Sequence, residues 1–198
     1  VGDVDGDGAP DIVASNDGSP NLLCYGDPTL PIGGTPNYAK LDAGQPPAGT
    51  SSGPGVSPPW TTIGGGADGS TSVALGDVDG DGDLDIAVSN SGGAPSEVLI
   101  NPGSRSGLDS ARGTSLGGSA GKAGTDVAIS GGRDGSDKPV DINGDGHPDI
   151  VLAVDGGPNL VYYGKGPPNE GGFEDGVVIC HPDSPECKGS SELSSPES

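Results

Sequence analysis

The stretch Asp77-Val-Asp-Gly-Asp-Gly-Asp-Leu-Asp85-Ile-Ala-Val-Ser89 decides how this chain is read. An acid stands at every second position from Asp77 to Asp85, and a short apolar run follows. Two further copies align with it without gaps: Asp3-Val-Asp-Gly-Asp-Gly-Ala-Pro-Asp11-Ile and Asp141-Ile-Asn-Gly-Asp-Gly-His-Pro-Asp149-Ile. Their first residues lie 74 and 64 residues apart, so the chain is organised by internal repetition.

The repetition continues past each acidic loop. Asp11-Ile-Val-Ala-Ser leads through Gly18-Ser-Pro-Asn to Leu22-Leu-Cys-Tyr25, and Asp149-Ile-Val-Leu-Ala leads through Gly156-Gly-Pro-Asn to Leu160-Val-Tyr-Tyr163. In the middle copy Asp85-Ile-Ala-Val-Ser leads through Gly92-Gly-Ala-Pro95 to Glu97-Val-Leu-Ile100. Each unit therefore reads as strand, Gly/Pro turn and strand, with the acidic loop in front. A further strand precedes the loop in the later copies, Ser72–Leu75 and Thr125–Ile129, and the third copy carries an insert over 130–139. These runs are too short for helices and rich in Val and Ile, so the predicted class is all-β.

The loop chemistry points to a hard cation. Counting from the first Asp, side-chain oxygens fall at positions 1, 3, 5 and 9, and a backbone carbonyl is available at position 7. Calcium takes 6–8 such oxygens at about 2.3–2.6 Å. Without an ion the carboxylates crowd together and repel one another. Glycines at positions 4 and 6 let the backbone curl, since Gly adopts positive φ without steric cost. The apolar residues at position 2 (Val4, Val78, Ile142) and position 10 (Ile12, Ile86, Ile150) anchor both ends of the loop. The loops lack the nitrogen and sulfur ligands that transition metals favour, apart from His147, whose side chain and that of Asp83 are expected to face solvent. An EF-hand fails, because its twelfth position needs a Glu and these loops have Ala14, Val88 and Leu152 there. An ion-free reading, in which the loops are plain solvated acidic turns, does not explain three matched copies.

Composition agrees with a cation-dependent fold. The 198 residues include Gly 40 and Pro 20, with 30% hydrophobic and 3% aromatic residues, too few for a large core packed by side chains alone. A formal net charge of −21 repels nucleic acid and anionic membranes and favours cations. No apolar run approaches the ~20 residues of a membrane-spanning helix. Val1 opens in mid-motif, which suggests a mature or partial product. Cys180 and Cys187 flank a turn-rich stretch and are expected to form a small disulfide loop, leaving Cys24 unpaired. Trp60 is expected to pack between sheets. The Pro/Gly/Ser-rich segment 43–59 and the tail 188–198 read as linkers, and there is no N-glycosylation sequon.

The pattern Asp-x-Asp-Gly-Asp-Gly-x-x-Asp-Ile, with its apolar strand and Gly-Pro turn, closely resembles FG-GAP/VCBS repeats, the blades of integrin-alpha-like β-propellers. Thrombospondin type 3 repeats are also similar, but they supply more Asp and Cys directly after the loop. The resemblance covers roughly residues 1–28, 60–103 and 115–165. It implies tandem antiparallel four-stranded blades, incomplete at about three, with three calcium sites. The ligands it implies are Asp3, Asp5, Asp7, Ala9 and Asp11; Asp77, Asp79, Asp81, Asp83 and Asp85; and Asp141, Asn143, Asp145, His147 and Asp149. Ala9, Asp83 and His147 would serve through their carbonyls, and Asn143 lowers the charge of the third site. The expected division is repeat 1 over 1–42, lacking its first strand; a loop over 43–59; repeat 2 over 60–110; repeat 3 over 111–170; a terminal strand and Cys loop over 171–187; and a tail over 188–198.

Closed propellers have about four to eight blades, so three motifs fall short of a ring. The strand-like run at Phe173–Ile179 and the missing strand before Asp3 suggest complementation, with Val177–Ile179 filling the gap beside Val1 in the same chain or a neighbour. The alternative is a fragment of a longer propeller. The expected function is that of an extracellular or cell-surface calcium-binding structural or adhesive protein, its partners being copies of itself or extracellular protein or glycan. A lectin-like or protein-binding propeller and a noncatalytic region of a secreted enzyme are the alternatives. No nucleophile–His–acid signature occurs, so the chain is expected not to be an enzyme.

Overall fold

The computed structural model describes residues 1–26, 28, 60–64, 69–108, 113–117, 119, 121, 123–130, 141–166 and 172–179. The chain is all-β, built from several small antiparallel sheets of up to four strands. The first sheet holds β1 (Ile12–Ala14), β2 (Asn21–Cys24) and β3 (Trp60–Ile63) in that order, and Gly2 makes a bridge to Asp11 on its inner edge. The second is a meander of β4 (Ser70–Gly76), β5 (Asp85–Asn90), β6 (Glu97–Leu99) and β7 (Thr114–Ser115), with a one-turn helix, α1 (Arg105–Leu108), between β6 and β7. The third combines β8 (Ala123–Ile129), β9 (Ile150–Asp155), β10 (Asn159–Tyr162) and β13 (Val177–Ile179). A separate ribbon pairs β11 (Gly164–Lys165) with β12 (Gly172–Phe173).

The registers show why the repeats align. Ile12, Ile86 and Ile150 face Cys24, Leu99 and Tyr162 across their hairpins. Leu75 lies opposite Ile86, and Ile129 opposite Ile150. Both inner strands carry an irregularity at the same place, between Ser70 and Ser72 and between Gly124 and Asp126. The hairpin turns are pinned by side chains: Asn21 Oδ1 accepts from Asn16 N–H at 3.0 Å, and Asn159 Oδ1 accepts from Val154 N–H at 3.0 Å. In the middle copy Ser96 Oγ accepts from Asn90 N–H at 3.2 Å.

Successive side chains of a strand point to opposite faces, and the second sheet buries both of its faces because it lies between the other two. One face of the first sheet (Val4, Val13, Leu23, Tyr25) packs on Ile86, Val88 and Leu99 of the second, and Leu108 of α1 joins this core. The opposite face of the second sheet (Val78, Ala87, Val98) packs on Val127, Ile150, Leu152 and Tyr162 of the third. β4 and β8 run side by side, and Thr71 Oγ1 donates to Gly124 O at 2.8 Å between them. Gly76 permits this approach, since a Cβ there would lie 2.8 Å from Ile129 Cγ2.

Two sequence expectations are corrected by the strand pairing. Val177–Ile179 does not fill a gap beside Val1; it pairs with β10, Val161 opposite Val177, and completes the third sheet. The outer strand of each sheet also arrives late in the chain. Trp60–Ile63 belongs to the first sheet rather than opening the second repeat, and Thr114–Ser115 belongs to the second sheet rather than the third repeat. Blades and sequence repeats are therefore offset by one strand throughout. Cys24 is a buried free thiol. The Cys180–Cys187 pairing, the linker 43–59, the tail and most of the 130–139 insert lie outside the described residues, as does the side chain of Trp60.

Candidate metal centre

The second and third acidic loops join β4 to β5 and β8 to β9, and the first lies between the Gly2–Asp11 bridge partners ahead of β1. Their glycines are needed for conformation rather than for space. Gly6 and Gly8, Gly80 and Gly82, and Gly144 and Gly146 all have φ between 73° and 99°, and an added Cβ at any of them would meet nothing within 4 Å. With the backbone curled this way, N–H groups point inward at carboxylates. The first Asp collects them: Asp77 accepts from Gly80 N–H at 2.7 Å and Gly82 N–H at 3.0 Å, and Asp141 accepts from Gly144 N–H at 2.6 Å and from Gly146 N–H. Asp3 accepts from Gly8 N–H at 2.9 Å.

The ninth residue is the most deeply placed. Asp11, Asp85 and Asp149 are completely buried. One carboxylate oxygen of each accepts the N–H of position 2, from Val4, Val78 or Ile142, at 2.7 Å in all three loops. The other reaches the strand beyond the hairpin, accepting from Gly26 N–H at 2.7 Å, Asn101 N–H at 2.8 Å and Gly164 N–H at 3.1 Å. This carboxylate closes the loop on one side and clamps the hairpin on the other. The three capping residues were not singled out from the sequence. Their signal is a place 15 or 16 residues after the ninth-position Asp, blurred by the extra residue in the middle hairpin.

Positions 1, 3 and 9 converge in two loops. Asp3, Asp5 and Asp11, and likewise Asp77, Asp79 and Asp85, each offer an oxygen within 4.8 Å of the others. Among the described residues these are the only two such acidic triads. In the third loop Asn143 leaves the triad one carboxylate short, and its Nδ2 donates to Asp145 Oδ2 at 2.8 Å. The fifth-position carboxylates turn one oxygen onto the backbone: Asp7 accepts from Ala9 N–H at 2.8 Å, Asp81 from Asp83 N–H at 2.9 Å and Asp145 from His147 N–H at 2.9 Å.

The His147 and Asp83 side chains, expected to face solvent, are partly exposed. Both are half-buried, and each folds across a glycine: a Cβ on Gly166 would collide with the His147 ring, and one on Gly103 with the Asp83 carboxylate. Those glycines stand two residues beyond the caps Gly164 and Asn101, so the seventh side chain packs on the strand that the ninth carboxylate clamps. Ala9 is buried against Gly26 in the same manner.

The electrostatics favour an added positive charge. Burial pushes Asp85 up to about 7, outweighing the N–H groups of Asn101 and Val78, and nearby Asp79 and Asp81 push the same way. Burial likewise raises Asp11, Asp149 and Asp79. Asp141 is the exception: burial raises it, but the N–H groups of Gly146, Gly144, Asp145 and Asn143 together hold it below its usual value. In the first loop Asp3 Oδ1 is sealed from solvent with no hydrogen-bond partner. Such an orphaned carboxylate oxygen is costly unless a donor or cation meets it. The oxygen-only donor set, the crowded charge and this orphaned atom fit a hard divalent cation such as calcium.

No curated protein and no solved structure matches the chain. Residues 3–88, which hold the first and second acidic triads and run into β5, match the FG-GAP-like repeat, a kind of repeat that forms propeller blades.

Proposed function

We propose that this chain is a calcium-binding structural or adhesive module of the extracellular space or cell surface, with no catalytic activity of its own. Calcium at the Asp3/Asp5/Asp11 and Asp77/Asp79/Asp85 triads would neutralise the buried charge and join ligation energy to folding. The third loop would take calcium more weakly, because Asn143 removes one charge. The observation that carries this reading is the orphaned Asp3 Oδ1, sealed from solvent in a loop where Asp3, Asp5 and Asp11 converge within 4.8 Å.

An extracellular setting supports the reading on physical grounds. Millimolar calcium outside cells saturates modules of modest affinity, which need no regulated release. The described fold is correspondingly held by small cores and by carboxylates that clamp hairpins. Titration calorimetry with calcium on the chelator-stripped chain is expected to show uptake at two stronger sites, with a higher thermal midpoint when calcium is present. Absence of heat together with an unchanged midpoint after chelation sinks the proposal.

A further inference from the structure

Asn101 stands where the other two blades have glycine, at Gly26 and Gly164, and it does two things where each glycine does one. Its backbone N–H caps Asp85 Oδ1 at 2.8 Å, as the glycines cap Asp11 and Asp149. Its side chain, completely buried, joins its own loop to the neighbouring blade: Nδ2 donates to Leu84 O at 3.1 Å and, across to the first loop, to Val4 O at 2.6 Å. Val4 is the second residue of the first loop, and its N–H is held by Asp11 Oδ2 at 2.7 Å. A continuous series of buried contacts thus runs from the Asp85 carboxylate, through Asn101, to the backbone of Val4 and on to the Asp11 carboxylate. Each of these carboxylates belongs to one of the two converging triads.

We infer that Asn101 is a positioning residue that couples the two triads, so that a cation at one strengthens binding at the other. This rests on the calcium reading above and adds to it a dependence between sites. A cation that fixes Asp85 fixes the Asn101 backbone, and the amide then holds the Val4 peptide in the orientation that Asp11 requires. The second cation meets a loop already ordered, and less conformational freedom is lost when it binds. Coupling of this kind is reciprocal, so the loop filled first does not matter. The third blade has Gly164 at this place, with no side chain to reach across, and its loop is left outside the coupled pair.

Isothermal titration with calcium on the full chain separates coupling from simple stapling of two blades. Asp5→Ala disables the first loop and Asp79→Ala the second, each tested with Asn101 and with Asn101→Gly. With Asn101 present, disabling either loop is expected to weaken the other by about fivefold or more, the lower end of ordinary site–site coupling. With Asn101→Gly, a residue type that the equivalent positions already carry, each loop is expected to bind independently. A purely structural staple lowers both affinities and leaves their mutual dependence intact, and that outcome overturns the inference; so does independent binding in the chain that retains Asn101. Absence of calcium heat from every variant overturns the calcium reading itself. A cation-free readout stands beside these: amide exchange at Val4 is expected to respond to Asp85→Asn when Asn101 is present and not after Asn101→Gly. Equal response in both backgrounds also overturns the coupling.

Discussion

The second and third blades carry nearly the same loop, yet they sit in different surroundings. Every residue of β5 is buried, whereas β9 alternates and ends exposed at Asp155. Val78, at the second position of its loop, is 3% exposed, and its counterpart Ile142 is 49% exposed. The buried ninth carboxylate makes the same two bonds in both blades. The loop's geometry is therefore set by its own residues, while its energetic weight is set by what packs against it.

The comparison breaks most sharply at that carboxylate. Asp85→Ala leaves the N–H groups of Val78 and Asn101 buried without an acceptor, each costing on the order of 1–3 kcal/mol. Asp149→Ala is expected to cost less, because water reaches the half-exposed Ile142 loop. Chemical denaturation of both variants in chelator checks this, and equal losses would mean that neighbouring blades contribute nothing to the site's weight.

Packing between blades gives the next largest effect. Gly76→Ala drives a methyl into Ile129 and is expected to destabilise by about 1–3 kcal/mol. The third blade has Ser130 at the equivalent bridge, where its Oγ accepts from Asp149 N–H at 2.6 Å. Ser130→Ala removes only that bond, expected at about 1 kcal/mol. Thermal midpoints of the two variants order the effects.

Titration of the cation-free chain is a gentler probe of the same difference. Asp85 is raised from 3.8 to about 7 on folding, so its protonated form is favoured in the native state. Stability from this group is complete below about pH 4 and is lost as pH rises through about 7. Unfolding in chelator across that range is expected to show falling stability for the wild type and a flatter profile for Asp85→Asn. Calcium is expected to reverse the slope, since it favours the ionised form.

The smallest change concerns the third loop alone. Asn143→Asp restores the missing carboxylate and removes the amide bond to Asp145. Calcium affinity at that loop is expected to rise by about tenfold, or roughly 1.4 kcal/mol. Calorimetry that resolves the weakest site tests it, and an unchanged affinity would show that charge count does not set the ranking.

Much of this was legible in the residues. The spacing of Asp and Gly announced the loops, and short apolar runs separated by Gly/Pro turns announced the hairpins, because both depend on contacts within about 20 residues. Asn143 was visible as the odd ligand. The fate of Val177–Ile179 was not legible, nor the placing of Trp60–Ile63 in the first blade. An apolar run specifies that it must pair, not with which edge. The packing of His147 and Asp83 over glycines was equally hidden, because those glycines lie on another strand.

The sequence by itself determined three acidic loops, an all-β class and the odd amide at Asn143, since short-range geometry and charge follow directly from residue type. Only the tertiary structure decided which strand closes each sheet, why Val78 is buried and Ile142 is not, and that the Asn101 side chain crosses from one blade to the next loop. Those outcomes depend on surfaces meeting across large separations in the chain, where many pairings satisfy the same local pattern and packing selects one.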